Sequence, residues 1–408
     1  MKKFILYFQP ALYNILHNKP YAVFCILGTA LTFIFVALAL QLIHIFTSNY
    51  PPMTKADQIV RLDYFKNSEG KGIGGIRYTE MNAFVEGLKD FDGISLYHDN
   101  AINIIANGHL YSCMVGFVNA DFWKMYDFDF LYGRPFTEKE CDNRKPVAII
   151  TEGMSQDYFN TKNGVGKKIT FQGNEYEISG VVKNFSFFST PTDMCTVWAP
   201  YVFNKFIPNA TLSYIIDVLT PSSMSTNESK ERISKAVRYY FDNKNIKVDF
   251  PPQKIKFLKD ALTTKEGDIF RYGGMIALFL FLLIPAINIL SLNNANTNNR
   301  AEEIAIRRTF GASRLSSFLQ IMMENFLLVL GGSVTGLLLS IPVMKIIQQK
   351  IMTGSFTENL SLVGQIDFVV IVAGVLPAIL VFSLLSGGLP AYLISKRNIA
   401  QVLKGGSK

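Results

Sequence analysis

The richest run of interacting side chains in this 408-residue chain is Arg300-Ala301-Glu302-Glu303-Ile304-Ala305-Ile306-Arg307-Arg308-Thr309-Phe310-Gly311-Ala312-Ser313-Arg314. Glu303 and Arg307 stand four apart, so a helix lets them pair for a few tenths of a kcal/mol. Asn299 suits the N-cap, Glu302 and Glu303 fall in the first turn, and Arg307 and Arg308 fall in the last, each where the helix dipole favours its charge. Gly311 suits the left-handed position that ends a helix, and Ser313 can cap the next one. Ile306 and Phe310 share a face, with Ala301, Ile304 and Ala305 nearby. The chemistry on offer is recognition: a stiff amphipathic helix fits either a partner's groove or the lipid headgroups, with its arginines on phosphate.

Residues suited to turnover are absent as constellations. His17, His44, His98 and His109 have no metal-ligand spacing. Cys25 lies in an apolar block, and Cys113, Cys141 and Cys195 are three thiols that cannot all pair; one bridge is possible, and buried free thiols fit better. Gly164-Val165-Gly166-Lys167-Lys168 glances at a phosphate loop, but Thr161 and Lys168 stand where that loop needs Gly and Ser or Thr. It reads as a turn between strands. Gly70-Lys71-Gly72-Ile73-Gly74-Gly75 lacks the flanking strand and helix of a dinucleotide site and reads as a mobile loop. No catalytic residue, metal ligand or cofactor is expected.

The elements around these residues are set by composition. Hydrophobic residues make up 49% and charged residues 18%, against about 25% charged in a soluble domain. The apolar excess is concentrated in residues 21–46, 272–292, 318–347 and 368–393. A bilayer core of about 30 Å takes about 20 helical residues, so each block is long enough to span. The first is far too long for the apolar core of a signal peptide and is followed by no small-residue cleavage site, so it reads as a retained anchor.

Lysine and arginine orient the spans. Lys2, Lys3, Lys19, Arg300, Arg307, Arg308, Arg314, Lys396, Arg397, Lys404 and Lys408 flank them on one side, whereas residues 47–271 hold 27 cations and 27 anions. The net charge of +8 is therefore a positive-inside signal, with no nucleic-acid partner implied. Both ends, residues 1–20 and 394–408, and the loop 293–317 are expected in the cytosol. Residues 47–271 and the short loop 348–367 are expected outside.

Residues 47–271 mix strand patterns at 59–65, 147–150, 176–182, 212–219 and 247–250 with helical spacing at 79–88, capped by Thr79, and at 229–241. Strand, helix and strand at both ends suggest two α/β halves around a β-rich insertion at about 119–182. The expected fold is thus an α-helical membrane protein with four transmembrane helices and a large α/β extracytoplasmic domain inserted between helices 1 and 2.

The run Arg300–Arg314, followed by Glu324, Gly331-Gly332 and Gly336, resembles the MacB/FtsX-like permeases of ABC transporters. So do Phe117-Val118-Asn119-Ala120-Asp121-Phe122-Trp123, Gly133-Arg134-Pro135-Phe136, Gly166-Lys167 and Ile178-Ser179-Gly180-Val181-Val182-Lys183 in that order. The likeness covers essentially the whole chain. Departures are Ala305, where family members often have Gly, and Thr309-Phe310, where they often have Ala-Leu. The drug-exporting member carries its ATPase on the same chain, and these residues carry none.

The resemblance implies a multi-pass bacterial inner-membrane permease with a periplasmic domain, powered by two copies of a separate cytoplasmic ABC ATPase. It pairs with a second permease chain, like or unlike, with a periplasmic adaptor or outer-membrane partner as a further possibility. Arg300, Glu302, Glu303, Ile304, Ile306, Arg307, Arg308, Phe310, Gly311, Ser313 and Arg314 would form its coupling helix, with Ile304, Ile306 and Phe310 as groove anchors. The arginines suit acidic ATPase residues and lipid phosphate equally. Glu324, one turn inside the third span, either snorkels to water or bonds another span or the coupling loop. Gly332, Gly336 and Ser340 form one small-residue row and Ser383, Gly387 and Ala391 another; these serve either packing within the chain or a homodimer seam. Pro377, Gly388 and Pro390 are expected to kink the fourth span. Competing readings are a membrane-anchored sensor or scaffold and a membrane enzyme with its site outside.

Overall fold

The computed structural model describes residues 2–62, 65–67, 69–77, 81–189, 195–204, 213–262, 265–299, 301–351 and 366–396. Arg300, Thr79, residues 352–365 of the outer loop and residues 397–408 of the tail lie outside them. The chain divides into two compact units, residues 45–268 with 348–364, and residues 1–44 with 269–347 and 365–408. Helix α1 (Lys2–His17) and helix α2 (Lys19–Thr47) open the second of these. Residues 1–20 were expected only as a cytosolic end, and α1 lies within them.

The first unit is built on strands β1 (Ile59–Leu62), β2 (Phe65–Lys66), β3 (Gly72–Gly74), β4 (Ile76–Arg77), β5 (Gly93–Ala106), β6 (His109–Val118), β7 (Phe130–Gly133), β8 (Val147–Thr151), β9 (Lys168–Phe171), β10 (Asn174–Val182), β11 (Val197–Pro200) and β12 (Ser213–Leu219). Helices α3 (Met81–Glu86), α4 (Phe122–Met125), α5 (Glu138–Asp142), α6 (Glu152–Phe159), α7 (Thr226–Asp242) and α8 (Leu258–Leu262) pack around them. Ten strands form one mixed sheet in the order β1-β12-β5-β6-β11-β8-β10-β7, with β4 on β12 and β9 joining β10 to β5.

This arrangement corrects the expected pair of terminal halves. The first and last strands of the segment pair with each other, Ile59 opposite Leu219 and Leu62 opposite Ile216, so both ends build one lobe. Periodicity reports which residues are apolar and not which strand they meet. Residues 119–182 hold α4, α5 and α6 as well as strands, so that stretch is mixed α/β. Gly72–Gly74 pairs with β2 instead of forming the expected mobile loop. The strand expected at 247–250 is a single bridge between Val248 and Asn67.

Burial explains the pairing. In α7, Ile233, Val237, Tyr240 and Phe241 are buried and join Val60, Leu62, Phe84, Ile94 and Ile216 in one core. Each such side chain contributes roughly 1.5–3 kcal/mol. A second core gathers Phe122, Phe136 and Trp198, with Trp123 edge-on to Trp198 at 5.9 Å between ring centres. Cys25, Cys113, Cys141 and Cys195 form no disulfide and are buried, and burial pushes the Cys113 and Cys141 thiols up to about 12. Cys113 and Cys141 therefore stay protonated at neutral pH.

Two polar devices fix the unit. Arg61 on β1 faces Asp217 on β12 and forks onto it, Nε to Oδ1 at 2.8 Å and Nη2 to Oδ2 at 2.9 Å. Tyr126 donates to the same carboxylate at 2.6 Å. The second device holds β7 against β10. Gly133 has φ +69°, and a Cβ there would lie 2.1 Å from the Ser179 carbonyl. Arg134 then forks onto Glu140 at 2.8 and 2.9 Å, and Glu140 closes a capping box with Thr137 at the start of α5. The Arg134 hydrogen bonds hold the Glu140 carboxyl down to about 2 from an ordinary 4.5.

The second unit continues through α9 (Lys265–Asn299), α10 (Ala301–Thr309), α11 (Arg314–Ile351) and α12 (Leu376–Lys396). Among the described residues four helices are long and apolar enough to cross a membrane: Lys19–Thr47, Tyr272–Asn296, Arg314–Gln348 and Val370–Lys396. The loop expected from residue 293 starts later, because α9 stays helical through Asn299. Asparagine is a poor helix former, but here tertiary partners outweigh that preference. The fourth span opens with a π-helical stretch, Val370–Val375, whose last bond runs from the Leu376 N–H to the Ile371 carbonyl. Pro377 follows and has no N–H to donate, so the irregularity lies at the start of this span.

Both Trp residues lie in the first unit, so their fluorescence reports its unfolding in the full chain. Asp217→Ala strands the Arg61 guanidinium and should cost about 3–5 kcal/mol in denaturant unfolding. The Glu140 carboxyl is depressed, so its stabilisation is complete above pH 4.5 and is lost as pH falls through about 2. Glu140→Gln should therefore lower the thermal midpoint at pH 7 while leaving little difference from wild type near pH 2.

Candidate coupling site and its membrane anchorage

The sequence places a charged, capped helix between the second and third spans, and α10 occupies Ala301–Thr309. Glu303 and Arg307 pair at 2.6 Å. Arg307 also reaches Gln320 of α11 at 3.4 Å, which ties the helix to the third span. The end of α10 is a Schellman turn: the Gly311 N–H donates to the Arg308 carbonyl and the Ala312 N–H to the Arg307 carbonyl, both at 3.2 Å. Gly311 has φ +100°, a conformation that suits glycine. Ser313 Oγ accepts from the Ser316 N–H at 3.1 Å and caps α11. The connection is thus stiff from Ala301 into the third span.

One side of α10 is turned inward at Ala305, which is 4% exposed, and the other carries Ile306 at 48% and Phe310 at 89%. Ile304 is half-buried, Glu302, Arg307 and Arg314 are exposed, and Glu303 and Arg308 are half-buried. Ile306 and Phe310 present an apolar edge one turn apart, flanked by cations. Burying such side chains is worth roughly 1.5–3 kcal/mol each, so the edge is suited to insertion into a groove.

The predicted residues within the spans fall into two places. Gly332 and Gly336 of α11 meet α2: a Cβ on Gly332 would lie 2.5 Å from Thr29 Cβ, and one on Gly336 would lie 2.5 Å from the Ala30 carbonyl. Ser340 is fully buried and donates to the Leu337 carbonyl at 2.6 Å. This row is spent on packing within the chain. Glu324 is 6% exposed and accepts from Asn14 Nδ2 of α1 at 3.4 Å. It therefore bonds the N-terminal helix, in residues that were expected only as a cytosolic end.

The sequence reading missed a polar node beside Glu324. Asn325 is 3% and Asn293 is 4% exposed. Asn293 Nδ2 donates to Asn325 Oδ1 at 2.7 Å and to the Ser386 carbonyl at 2.9 Å. Asn325 Nδ2 donates to the Ser383 carbonyl at 2.9 Å, with Ser386 Oγ at 3.1 Å and Ser383 Oγ at 3.2 Å. Tyr21 OH donates to Asn293 Oδ1. Asn18 and Asn296 bond at 2.8 Å one turn nearer α10. All four spans meet here. Interhelical hydrogen bonds within membranes average about 0.6 kcal/mol each, up to about 1.7, so a set of this size adds appreciable stability and fixes helix register. The available signal was Asn in an apolar run facing serines of another span, a pairing that one sequence cannot reveal.

Among the described residues no group of His, Cys, Asp and Glu could hold a metal ion.

Comparison with known proteins accords with this architecture. Residues 22–236 match the MacB-like periplasmic core domain, and residues 275–399 match the FtsX-like permease C-terminal domain. The macrolide export ATP-binding/permease protein MacB of Aggregatibacter actinomycetemcomitans is 23% identical over 59% of this chain and 37% of its own length. The uncharacterized ABC transporter permease YknZ of Bacillus subtilis is 22% identical over 64% of each chain. The chain thus spans about a third of that MacB relative. Among solved structures, the periplasmic region of MacB from Actinobacillus actinomycetemcomitans is 13% identical, with a TM-score of 0.39, over 47% of this chain and 88% of its own. The extracellular domain of YknZ is 20% identical, with a TM-score of 0.35, over 46% and 96%. A membrane protein with four spanning helices, a large α/β domain between the first and second, and these two matched domains in order, this chain belongs to the MacB/FtsX-like ABC transporter permease family.

Proposed function

We propose that the chain is the permease subunit that carries ATP-driven motion from cytoplasmic ATPase subunits to its exported domain, to export or extract a substrate on the outer side of the membrane. The observation that carries the reading is the exposed edge of Ile306 and Phe310 on a helix held stiffly at both charge and turn. ATP binding closes two ATPases on each other, and a helix seated in their grooves moves with them. A floppy connection would absorb that displacement; a Schellman turn and an ion pair transmit it.

In this reading two ATPase copies serve two permease chains, alike or different, and a periplasmic adaptor or outer-membrane partner completes the route where one exists. Ile306 and Phe310 are the groove anchors, with Ile304 supporting them. Arg300, Arg307, Arg308 and Arg314 meet acidic ATPase residues or lipid phosphate, Glu302 and Glu303 hold the first turn, and Gly311 and Ser313 form the hinge-free corner. The eleven flanking cations support an inner-membrane topology with both termini inside and residues 47–271 in the periplasm. The name of the MacB relative, which includes both export and ATP binding, supports the class of activity. The chain itself is read as non-catalytic.

Phe310→Asp and Ile306→Asp place a carboxylate where a groove expects an apolar side chain. Each should weaken co-purification of an ATPase with the full-length chain by at least about tenfold, the size of a modest hot spot. Undiminished association in both variants would refute docking through this edge.

A further inference from the structure

The N-terminal helix presents three different faces. On α1, Ala11 is fully buried, and Asn14 and Ile15 beside it are half-buried. Leu12 and Leu16 are 42% and 59% exposed. Gln9, Tyr13 and His17 are also exposed, and the Tyr13 and His17 rings stack at 3.9 Å between centres. Residues four apart share a helix face, so Leu12 and Leu16 make one row and Gln9, Tyr13 and His17 another. The first row is wholly apolar. The second is polar with one amphipathic ring.

The buried face fixes where these rows stand. Asn14 Nδ2 donates to Glu324, in the third turn of α11, at 3.4 Å. Just beyond α1, Asn18 Nδ2 donates to Asn296 Oδ1, in the last turn of α9, at 2.8 Å. The end of α1 therefore lies alongside the spans, yet it is no continuation of the first. The helix is interrupted at Asn18, and Pro20 has no N–H to offer the Leu16 carbonyl. Charge adds a second constraint. Residues 1–20 hold Lys2, Lys3 and Lys19 with no Asp or Glu, and Lys19 is exposed.

Three surroundings compete for the exposed rows. Water would leave Leu12 and Leu16 unburied. Hydrocarbon would strip Gln9 and His17 of water. The boundary between acyl chains and headgroups suits both rows at once, and anionic phosphate suits a segment whose only charges are cationic. We propose that α1 is a lipid-binding arm lying in this boundary. Leu12 and Leu16 sit among acyl chains, the Gln9, Tyr13 and His17 row sits among headgroups, and Lys19 meets anionic phospholipid. Tyrosine favours that level of a bilayer. The leaflet is the cytosolic one, a placement that rests on the topology proposed above.

The test uses the full-length chain in nanodiscs of phosphatidylcholine mixed equally with phosphatidylglycerol, and in nanodiscs of phosphatidylcholine alone. Leu12→Cys, Leu16→Cys, Gln9→Cys and His17→Cys each carry one spin label, since the native thiols are buried. Power saturation with oxygen, which partitions into acyl chains, and with a neutral nickel chelate, which stays in water, reports the depth of each label. In the mixed discs the labels on Leu12→Cys and Leu16→Cys should favour oxygen and the other two nickel. Phosphatidylcholine alone, or Lys19→Glu in the mixed discs, should narrow that contrast, and Lys19→Arg should keep it. Nickel access at all four positions overturns the arm, because the helix then stands in water. Labels on Leu12→Cys and Leu16→Cys shielded from both reagents overturn it too, because protein then covers them. A contrast unchanged both in phosphatidylcholine alone and in Lys19→Glu overturns the role of anionic lipid. Sidedness is read separately: in intact spheroplasts an impermeant maleimide should not reach His17→Cys. Labelling there overturns the cytosolic placement and not the lipid contact, which the discs report on either face.

Discussion

A carboxamide inside a membrane bundle must find partners among its neighbours, because the hydrocarbon offers none. Asn325 meets that demand with two serines of the fourth span and with Asn293 of the second, which in turn is met by Tyr21 of the first. The organisation of the membrane unit follows from it. Satisfying one side chain brings four helices to a common point, and that point lies at the end of the bundle where α9 runs on toward α10. The cost of leaving these amides unpaired in lipid makes the meeting point discrete. Helices joined only by leucines could slip by a turn; helices joined here cannot slip without breaking several bonds at once.

The first unit applies the same rule with different chemistry. Its lobes are built by apolar burial, but its register is set by groups that tolerate no substitute. Arg61 and Asp217 stand opposite each other on paired strands, so a shift of one residue would leave a guanidinium and a carboxylate without each other. Asn119 accepts from the Leu96 N–H at 3.0 Å and donates to the Ile94 carbonyl at 2.7 Å, which stitches the end of β6 to β5. Gly133 and Gly180 let β7 approach β10 where any Cβ would collide with backbone. The motifs that resembled the family outside the membrane are therefore elements of construction.

Much of this was legible in the residues, and the parts that were not share one cause. Spans could be read because hydrophobicity is a local property that accumulates over twenty positions. The C-terminal end of α10 could be read because dipole-matched charges and a left-handed glycine act within a few residues of one another, whereas Asn299, expected to cap its start, is the last residue of α9. The pairing of β1 with β12 could not, since it joins segments far apart in sequence, and so two ends of one lobe looked like two halves. The helicity of the asparagine-rich run after residue 292 was hidden for the same reason, because its partners are Asn18 and residues of α2, α11 and α12. Glu324 stood out as a polar group in an apolar span, and Asn14, which bonds it, sits on a helix whose amphipathic pattern went unused. Gly72–Gly74 shows the converse error: composition suggested freedom, and two hydrogen-bonded residues on β2 were enough to remove it.

Gly332 and Gly336 are already consumed by Thr29 and Ala30 within one polypeptide. The membrane-facing surface that remains is made of Leu, Ile, Val and Phe, such as Phe24, Leu27 and Leu31 on α2 and Ile276 and Phe279 on α9. Branched and aromatic chains of this kind interdigitate loosely and adapt to varied relief, whereas a glycine ridge accepts one backbone in one pose. The glycine ridge of this chain is thus committed to its own interior, and what stays bare is the more adaptable relief.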